Sequence, residues 1–412
     1  MMAFKTKHWL NRERLVVYPG AVALMFVCFI VYALVQAEIG MNMAGNPLGY
    51  DFVQFWSVSH IGLHEHPALA YDVSHLTAVE KGFVPTLDGI LPWRYPPTFY
   101  LLVLPFSLLP MQISLAVFVL VTLAFYVWTF CRVIQDGRSD LSWVTTPRAV
   151  LCLAAFGPAW FNLLGGQTGF LTASLAAGAL LCLERRPILA GVLIGLLCIK
   201  PHLAVLFPVC LIAIRAWRAF FAAAITVIVF TLLSVGVLGA DTVGAFFRGL
   251  SEAGQLLAAG QSPLTKMPSV FVSLRMLHVP PPLAYSVHGV VAIVVAWTVW
   301  RVWRHCSDAR LRNAALVTGS FFISPYVFDY DMSWLAFALA WFALYGMERG
   351  WRRFEREVLV LFWAGTLFIA LLAQQTVTHT VPLMLGALLW MIHRRAAEQV
   401  LSSDLPSGNL SS

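Results

Sequence analysis

The chain has 412 residues, of which 59% are hydrophobic and only 11% are charged, and its mean hydropathy is +0.77. It therefore carries too few polar side chains to cover a soluble globule of this length, and lipid must contact most of its surface. The net charge of +7 does not indicate nucleic-acid binding, because the basic residues form short runs between apolar stretches, as in the cytoplasmic loops of membrane proteins. These runs lie at residues 5–14, 185–186, 215–218, 301–312, 349–356 and 394–395.

The first apolar segment, residues 15–37, is long enough to cross a bilayer and too long for the core of a signal peptide. With the basic N-terminus inside, this helix leads outward to a long polar loop at residues 38–94. Further apolar segments lie at residues 98–131, 149–164, 168–183, 187–200, 203–214, 219–239, 282–303, 313–327, 332–346, 358–374 and 381–392. The sequence predicts an all-α polytopic membrane protein with a bundle of about 12 transmembrane helices.

No linker divides the chain, so residues 1–395 are predicted to form a single integral-membrane domain, followed by a polar cytoplasmic tail at residues 396–412. Residues 240–281 are predicted to form a second outer loop. The basic runs place both termini in the cytoplasm and the protein in the inner (plasma) membrane. Residues 98–131 are counted as one net crossing, and two crossings there would reverse the topology of everything that follows.

Polar or Gly/Pro-containing breaks between apolar segments all fall on the outer side in this topology. They are residues 94–97, 165–167, 200–202 and 324–331. Irregular backbone at membrane depth is tolerated only where it is buried in protein or lines a cavity, and ionisable residues there are typical of functional sites. The breaks therefore predict a site at the outer face, shared with the loop at residues 38–94.

Residues 49–72 begin with an acid and continue as an amphipathic helix in which Phe52 and Phe55 lie on one face. This pattern is typical of a helix at the membrane interface. Asp51 is expected at the N-terminal end of this helix, where its carboxylate either caps the helix or takes part in chemistry. The spacing alone does not distinguish these roles.

Short motifs along the chain resemble those of glycosyltransferase family 87, in the same order. They are Asp51-Phe52 with Phe55-Trp56, Pro67 with Tyr71-Asp72, Tyr95-Pro96-Pro97, Leu104-Pro105, Gly166-Gln167 and Lys200-Pro201. The resemblance extends over roughly residues 15–395. It departs at residues 64–66, His-Glu-His, where the family tends to have a small residue before its proline, so the donor and acceptor preferences stay open.

The resemblance implies a GT-C type bundle whose long first outer loop carries interfacial helices. It also implies inverting transfer of a sugar, typically mannose, from a polyprenyl-phosphate donor to a hydroxyl on a lipid or glycan. The family's catalytic base is an aspartate of the first outer loop, which matches Asp51. One carboxylate suffices for this chemistry, because the departing phosphate needs no protonation.

Negative charge develops on the departing phosphate, so fixed cations or hydrogen-bond donors are needed near it. The basic groups at the outer ends of apolar segments are Arg94, Lys200 and His202, and we expect them to bind the donor phosphate. Arg94 and Lys200 could instead anchor at lipid headgroups, and His202 could simply end a helix.

Sugar or acceptor binding is expected from Tyr95, Gln167, Asp329 and Asp331. The amide of Gln167 could bind a sugar hydroxyl or bridge two helices. Each of the two carboxylates is costly inside lipid unless it is paired or faces a site, so a functional or paired role is favoured.

Metal binding is not predicted, nor is a cofactor. His60 and His64 have the i, i+4 spacing of metal ligands, but histidines on the wet face of an interfacial helix also explain it. The seven cysteines lie in or at the ends of apolar stretches without CxxC spacing, which indicates neither a disulfide framework nor a zinc site.

The alternative function is a transporter, flippase or ligase for lipid-linked sugars, because transporters also use broken helices around a cavity. Against transport, no inverted repeat relates the two halves, and the polar groups gather at one face. Against a ligase, the loop at residues 38–94 is longer than the loop at residues 240–281. The predicted partners are membrane lipid, the lipid-linked sugar donor and a lipid or glycan acceptor.

Overall fold

The computed structural model describes residues 12–36, 49–87, 89–137, 143–368 and 378–403. All regular elements in these ranges are helical. The α-helices are α1 (Arg14–Gln36), α2 (Tyr50–His64), α3 (Val73–Phe83), α4 (Pro97–Val103), α5 (Met111–Gly137), α6 (Thr146–Ala154), α7 (Gly157–Gly165), α8 (Gly169–Cys182), α9 (Pro187–Leu196), α10 (Pro201–Ala204), α11 (Leu206–Ala213), α12 (Trp217–Leu238), α13 (Asp241–Ala258), α14 (Val270–Met276), α15 (Pro281–His305), α16 (Ala309–Ser320), α17 (Leu335–Arg349), α18 (Glu355–Gly365) and α19 (Val381–Ser403).

Short 3-10 helices occur between several of these elements. They are Pro67–Tyr71, Phe106–Leu108, Leu197–Ile199, Leu264–Lys266, Asp329–Trp334 and Thr366–Phe368. The boundary predicted at residue 395 lies inside α19, which continues to Ser403. The remaining residues of the predicted tail, 404–412, lie outside the described ranges.

Within the described residues, four helices are long and apolar enough to cross a membrane, namely α1, α5, α12 and α15. The pair α6 and α7, bent by 65° at its break, makes a fifth candidate. The prediction of an all-α membrane protein is confirmed. The bundle of about 12 crossings stays a prediction, because several apolar segments form shorter helices that proline or polar residues interrupt.

The interior of the bundle is formed by α8, α16 and α17, whose side chains are buried on nearly every face. By contrast, α12 exposes apolar side chains such as Ile225, Ile228 and Leu232 along its length. A helix that is apolar all round suits either a protein core or a lipid surface. The two environments therefore separate the core helices from those that face lipid.

The broken points of the bundle lie close together. The 3-10 helix Asp329–Trp334 packs against both α7 and α8, and α2 packs against α7. The predicted segment 98–131 divides at Pro105 and Pro110 into the short α4 and the long α5. This arrangement brings the start of α2, the α7–α8 junction and the residues before α17 to one place.

Candidate functional site

Asp51 lies in the first turn of α2, but it does not cap the helix. The N-cap residue is Gly49, in the left-handed region at φ 74°, and no side chain makes a capping hydrogen bond there. The Asp51 carboxylate instead hydrogen-bonds to the side chain of Gln167. Its Oδ2 lies against Gly165, where a Cβ would approach it to 2.9 Å. The structure therefore favours a role in the site over the capping alternative.

Gln167 links Asp51 to the segment before α4. Gly166, at φ 66°, ends α7 in the left-handed conformation that glycine adopts most easily, and Gln167 follows it. The Tyr95 hydroxyl donates to Gln167 Oε1 at 3.2 Å. Asp51, Gln167 and Tyr95 thus form one continuous hydrogen-bonded series.

Lys200 and Asp331 form a buried ion pair beside this series. The Lys200 Nζ lies 2.5 Å from Asp331 Oδ1, and the two side chains are 5% and 0% exposed. Nζ also lies 4.5 Å from the centre of the Tyr330 ring, a favourable cation–π position. Lys200 is therefore buried and paired, which argues against the headgroup-anchor alternative.

Two more charged residues complete the group. Asp329 is 7% exposed, and its Oδ1 accepts a hydrogen bond from the Tyr330 amide. Lys266, at the end of the 3-10 helix Leu264–Lys266, lies within electrostatic range of both Asp51 and Asp329. We call Asp51, Lys200, Lys266, Asp329 and Asp331 the carboxylate cluster.

Burial governs the protonation of Asp51 and Asp329, the two carboxylates of this cluster that have no ion-pair partner in the described ranges. It raises the pKa of the Asp51 carboxyl above its usual value, against the hydrogen bond from Gln167 and the positive charges of Lys266 and Lys200. It raises the pKa of Asp329 to about 6. A carboxylate with a raised pKa is a stronger proton acceptor once it is ionised.

Arg94 makes its polar contacts with α13. Its Nη1 donates to the Gly249 carbonyl at 2.6 Å and lies 3.7 Å from Glu252 Oε2. Arg94 therefore joins the segment before α4 to α13. His202, the second residue of α10, lies within electrostatic range of Lys200, and its buried Nε2 has no hydrogen-bond partner within the described ranges.

Sequence reasoning missed two residues of this region. Asn162 is fully buried; its Nδ2 donates to the Tyr330 carbonyl at 2.6 Å and its Oδ1 accepts from the Gly169 amide at 2.7 Å. It thereby joins α7, α8 and the segment that carries Asp329. An asparagine within an apolar segment was a usable signal. Lys266 gave none, because it is one of several charged residues in the loop at residues 240–281 and lies at none of the breaks between apolar segments.

A metal centre is not evident within the part of the chain that the structure describes, where no three His, Cys, Asp or Glu side chains are arranged to hold an ion. The rings of His60 and His64 stack at 4.4 Å, and His64 Nδ1 lies 3.0 Å from the His60 carbonyl oxygen. These contacts involve the histidines with each other and with the backbone of α2.

Comparison with known proteins gives a family match. Residues 93–325 match the family described as Glycosyltransferase family 87, a range of more than half the chain. It includes Arg94, Tyr95, Gln167, Lys200 and His202, and it leaves out the carboxylates of the cluster, at positions 51, 329 and 331. No curated protein and no solved structure matches the chain.

Proposed function

The chain belongs to glycosyltransferase family 87, and from that membership we propose that it transfers a sugar, mannose by the family resemblance, from a polyprenyl-phosphate donor to a hydroxyl of a lipid or glycan. The reaction inverts the anomeric configuration. Asp51 is the general base that removes the proton of the attacking hydroxyl. We propose no metal and no cofactor for this reaction.

The observation that carries the proposal is the state of Asp51. Its carboxylate is oriented by Gln167, has no ion-pair partner in the described ranges, and has a pKa raised by burial. A base held by one hydrogen bond and left unpaired can still accept a proton. Asp331 is less suited to this role, because Lys200 already holds its carboxylate at 2.5 Å.

The leaving phosphate needs positive partners, and we propose Lys200, with His202 and Arg94, for this role. Lys200 is rigidly held by Asp331 and by the Tyr330 ring. Sugar and acceptor hydroxyls are proposed to contact Tyr95, Gln167, Asp329 and Asp331. In support, all four are polar groups that surround Asp51 or Lys200.

We further propose a GT-C type bundle of about 12 crossings in the inner membrane, with the carboxylate cluster outside and both termini inside. The proposal is supported by the placement of the basic runs. Single cysteines at the exposed Gly82 and Arg185 test it, with labelling by an impermeant thiol reagent on intact cells. Labelling of position 82 and protection of position 185 are expected, and the reverse pattern would refute this topology.

The activity is tested with the purified full-length chain in nanodiscs, given radiolabelled polyprenyl-phosphate mannose and a membrane lipid extract as acceptor. We expect label to move to a lipid or glycan product whose new linkage has the anomeric configuration opposite to that of the donor. Polyprenyl-phosphate glucose and a nucleotide-activated mannose are the comparison donors. Transfer from the nucleotide sugar alone, or retention of configuration, would overturn the proposal.

A further inference from the structure

The cations near the site differ in how their charge is used. Lys200 is bound to Asp331, and Arg94 contacts the Gly249 carbonyl and Glu252. Lys266 is exposed and has no ion-pair partner in the described ranges. Among the described residues of the carboxylate cluster, Lys266 is thus the cation that makes no direct ionic contact.

The backbone that carries Lys266 is anchored on both sides. Met267 is fully buried in a small core that includes Phe271, and Phe328 packs against the same core. His379 Nε2 donates to the Leu264 carbonyl at 2.7 Å. Lys266 is therefore a flexible side chain on a rigid backbone segment.

The same packing places this backbone segment next to the carboxylate cluster. Phe328 directly precedes Asp329, and its ring stacks on that of Tyr330 at 5.3 Å. Tyr330 in turn lies under the Lys200 ammonium group. The short helix that ends at Lys266 thus packs on the same core as Phe328, next to the residues that position Asp329 and Lys200.

An anionic substrate meets a specific difficulty at this site. With Lys200 neutralised by Asp331, two carboxylates, Asp51 and Asp329, remain to repel a phosphate at neutral pH. An exposed lysine on a rigid backbone segment opposes this repulsion, and its long side chain can follow a phosphate that enters from the membrane surface.

We propose that Lys266 binds the phosphate of the lipid-linked sugar donor at the mouth of the site, beside Asp51 and Asp329. This inference rests on the proposed function and adds to it a residue that recognises the donor. Lys266 makes no covalent bond and transfers no proton. It contributes affinity for the phosphate and shields that phosphate from the two carboxylates.

The test compares Lys266→Gln with Lys266→Arg, and uses Lys81→Gln as the matched control, because Lys81 is an exposed lysine on α3. Binding of polyprenyl phosphate, polyprenol and phosphatidylglycerol to the full-length protein is measured in otherwise zwitterionic nanodiscs. We expect Lys266→Gln to weaken polyprenyl phosphate binding by about tenfold or more, the scale of a charged hydrogen bond. Polyprenol and phosphatidylglycerol binding should not change, and Lys266→Arg and Lys81→Gln should bind like the parent.

Unchanged binding of polyprenyl phosphate by Lys266→Gln overturns the inference. Equal loss for polyprenyl phosphate and polyprenol also overturns it, because the lysine then supports the fold. Loss confined to phosphatidylglycerol makes Lys266 a contact for bulk lipid, which contradicts the inference as well. Sugar transfer by the parent chain is scored separately, so the proposed function can fail while the binding ratios still decide the role of Lys266.

Discussion

Charged side chains gather at both ends of α17, and the two groups are built differently. Before the first turn lies the carboxylate cluster, with one close ion pair, Lys200–Asp331, and two carboxylates that lack one in the described ranges. Near the last turn, each carboxylate contacts an arginine. We call this group the arginine cluster; it comprises Asp308, Arg310, Glu348, Glu355 and Arg395, with N–O distances of 2.8, 2.6 and 2.5 Å for the pairs of Asp308, Glu348 and Glu355.

The pKa shifts of the carboxylates differ between the two clusters in the same way. Burial opposes the ionisation of both Glu355 and Asp51. At Glu355, hydrogen bonds from the Arg395 side chain and the Arg352 amide, together with the positive charges of Arg395 and Arg394, outweigh burial and hold the pKa below its usual value. At Asp51 the single bond from Gln167 does not, and the pKa is raised. A carboxylate that is held in a buried ion pair serves the structure, whereas a buried carboxylate without such a partner marks a site that can bind or react.

The largest effect is expected from breaking a buried pair at either end. Lys200→Met leaves Asp331 buried without its partner, and Arg395→Met does the same to Glu355, so each should destabilise the fold by about 3–5 kcal/mol. Unfolding in denaturant measures the stability. Transfer activity per folded molecule should fall only for Lys200→Met, and a similar loss in Arg395→Met would contradict the division.

Asp51→Asn should abolish most of the activity with little change in stability. Asparagine keeps the size of the side chain but cannot accept a proton, so kcat should fall by about 100-fold or more. Glu355→Gln is the matched control, which should lose stability and keep its activity per folded molecule. Near-normal turnover by Asp51→Asn, with Asp331→Asn inactive, would assign the base to Asp331 instead.

Gly165→Ala should have a smaller effect on the same carboxylate. The added Cβ would lie 2.9 Å from Asp51 Oδ2, so the carboxylate must shift and its bond to Gln167 must lengthen. We expect kcat to fall by about fivefold, as for the loss of one hydrogen bond of about 1 kcal/mol. Gly82→Ala, on α3 with open space around it, is the control, and equal rates in both variants would show that Asp51 does not need this position.

Much of this group of residues could be singled out from the sequence, because its members interrupt apolar segments or lie in the long polar loop at residues 38–94. Gln167 and Lys200 are polar residues at breaks between apolar segments, Asp51 lies in the polar loop at residues 38–94, and the structure brings the three together. Asn162 and Lys266 could not be assigned, because their roles depend on which helices meet. The number of crossings was not readable either: α17 and α12 are both apolar, but one is buried in protein and the other exposes its side chains. Hydropathy measures avoidance of water and does not distinguish a helix buried in protein from one that exposes its side chains.

The smallest effect, and the finest test of the unbalanced cluster, is a shift in the pH profile. As a base, Asp51 works only when ionised, so kcat/KM should fall as the pH drops through its raised pKa, on a limb above the usual range for aspartate. Asp329 carries a like charge above its pKa of about 6, so Asp329→Asn should make Asp51 easier to ionise and move the limb to lower pH. Lys266→Gln removes an opposite charge and should move it to higher pH.

The profiles are measured at constant ionic strength with Glu355→Gln as the control, whose limb should coincide with that of the parent. Shifts of the same sign in Asp329→Asn and Lys266→Gln would show that the limb does not report the electrostatics around Asp51.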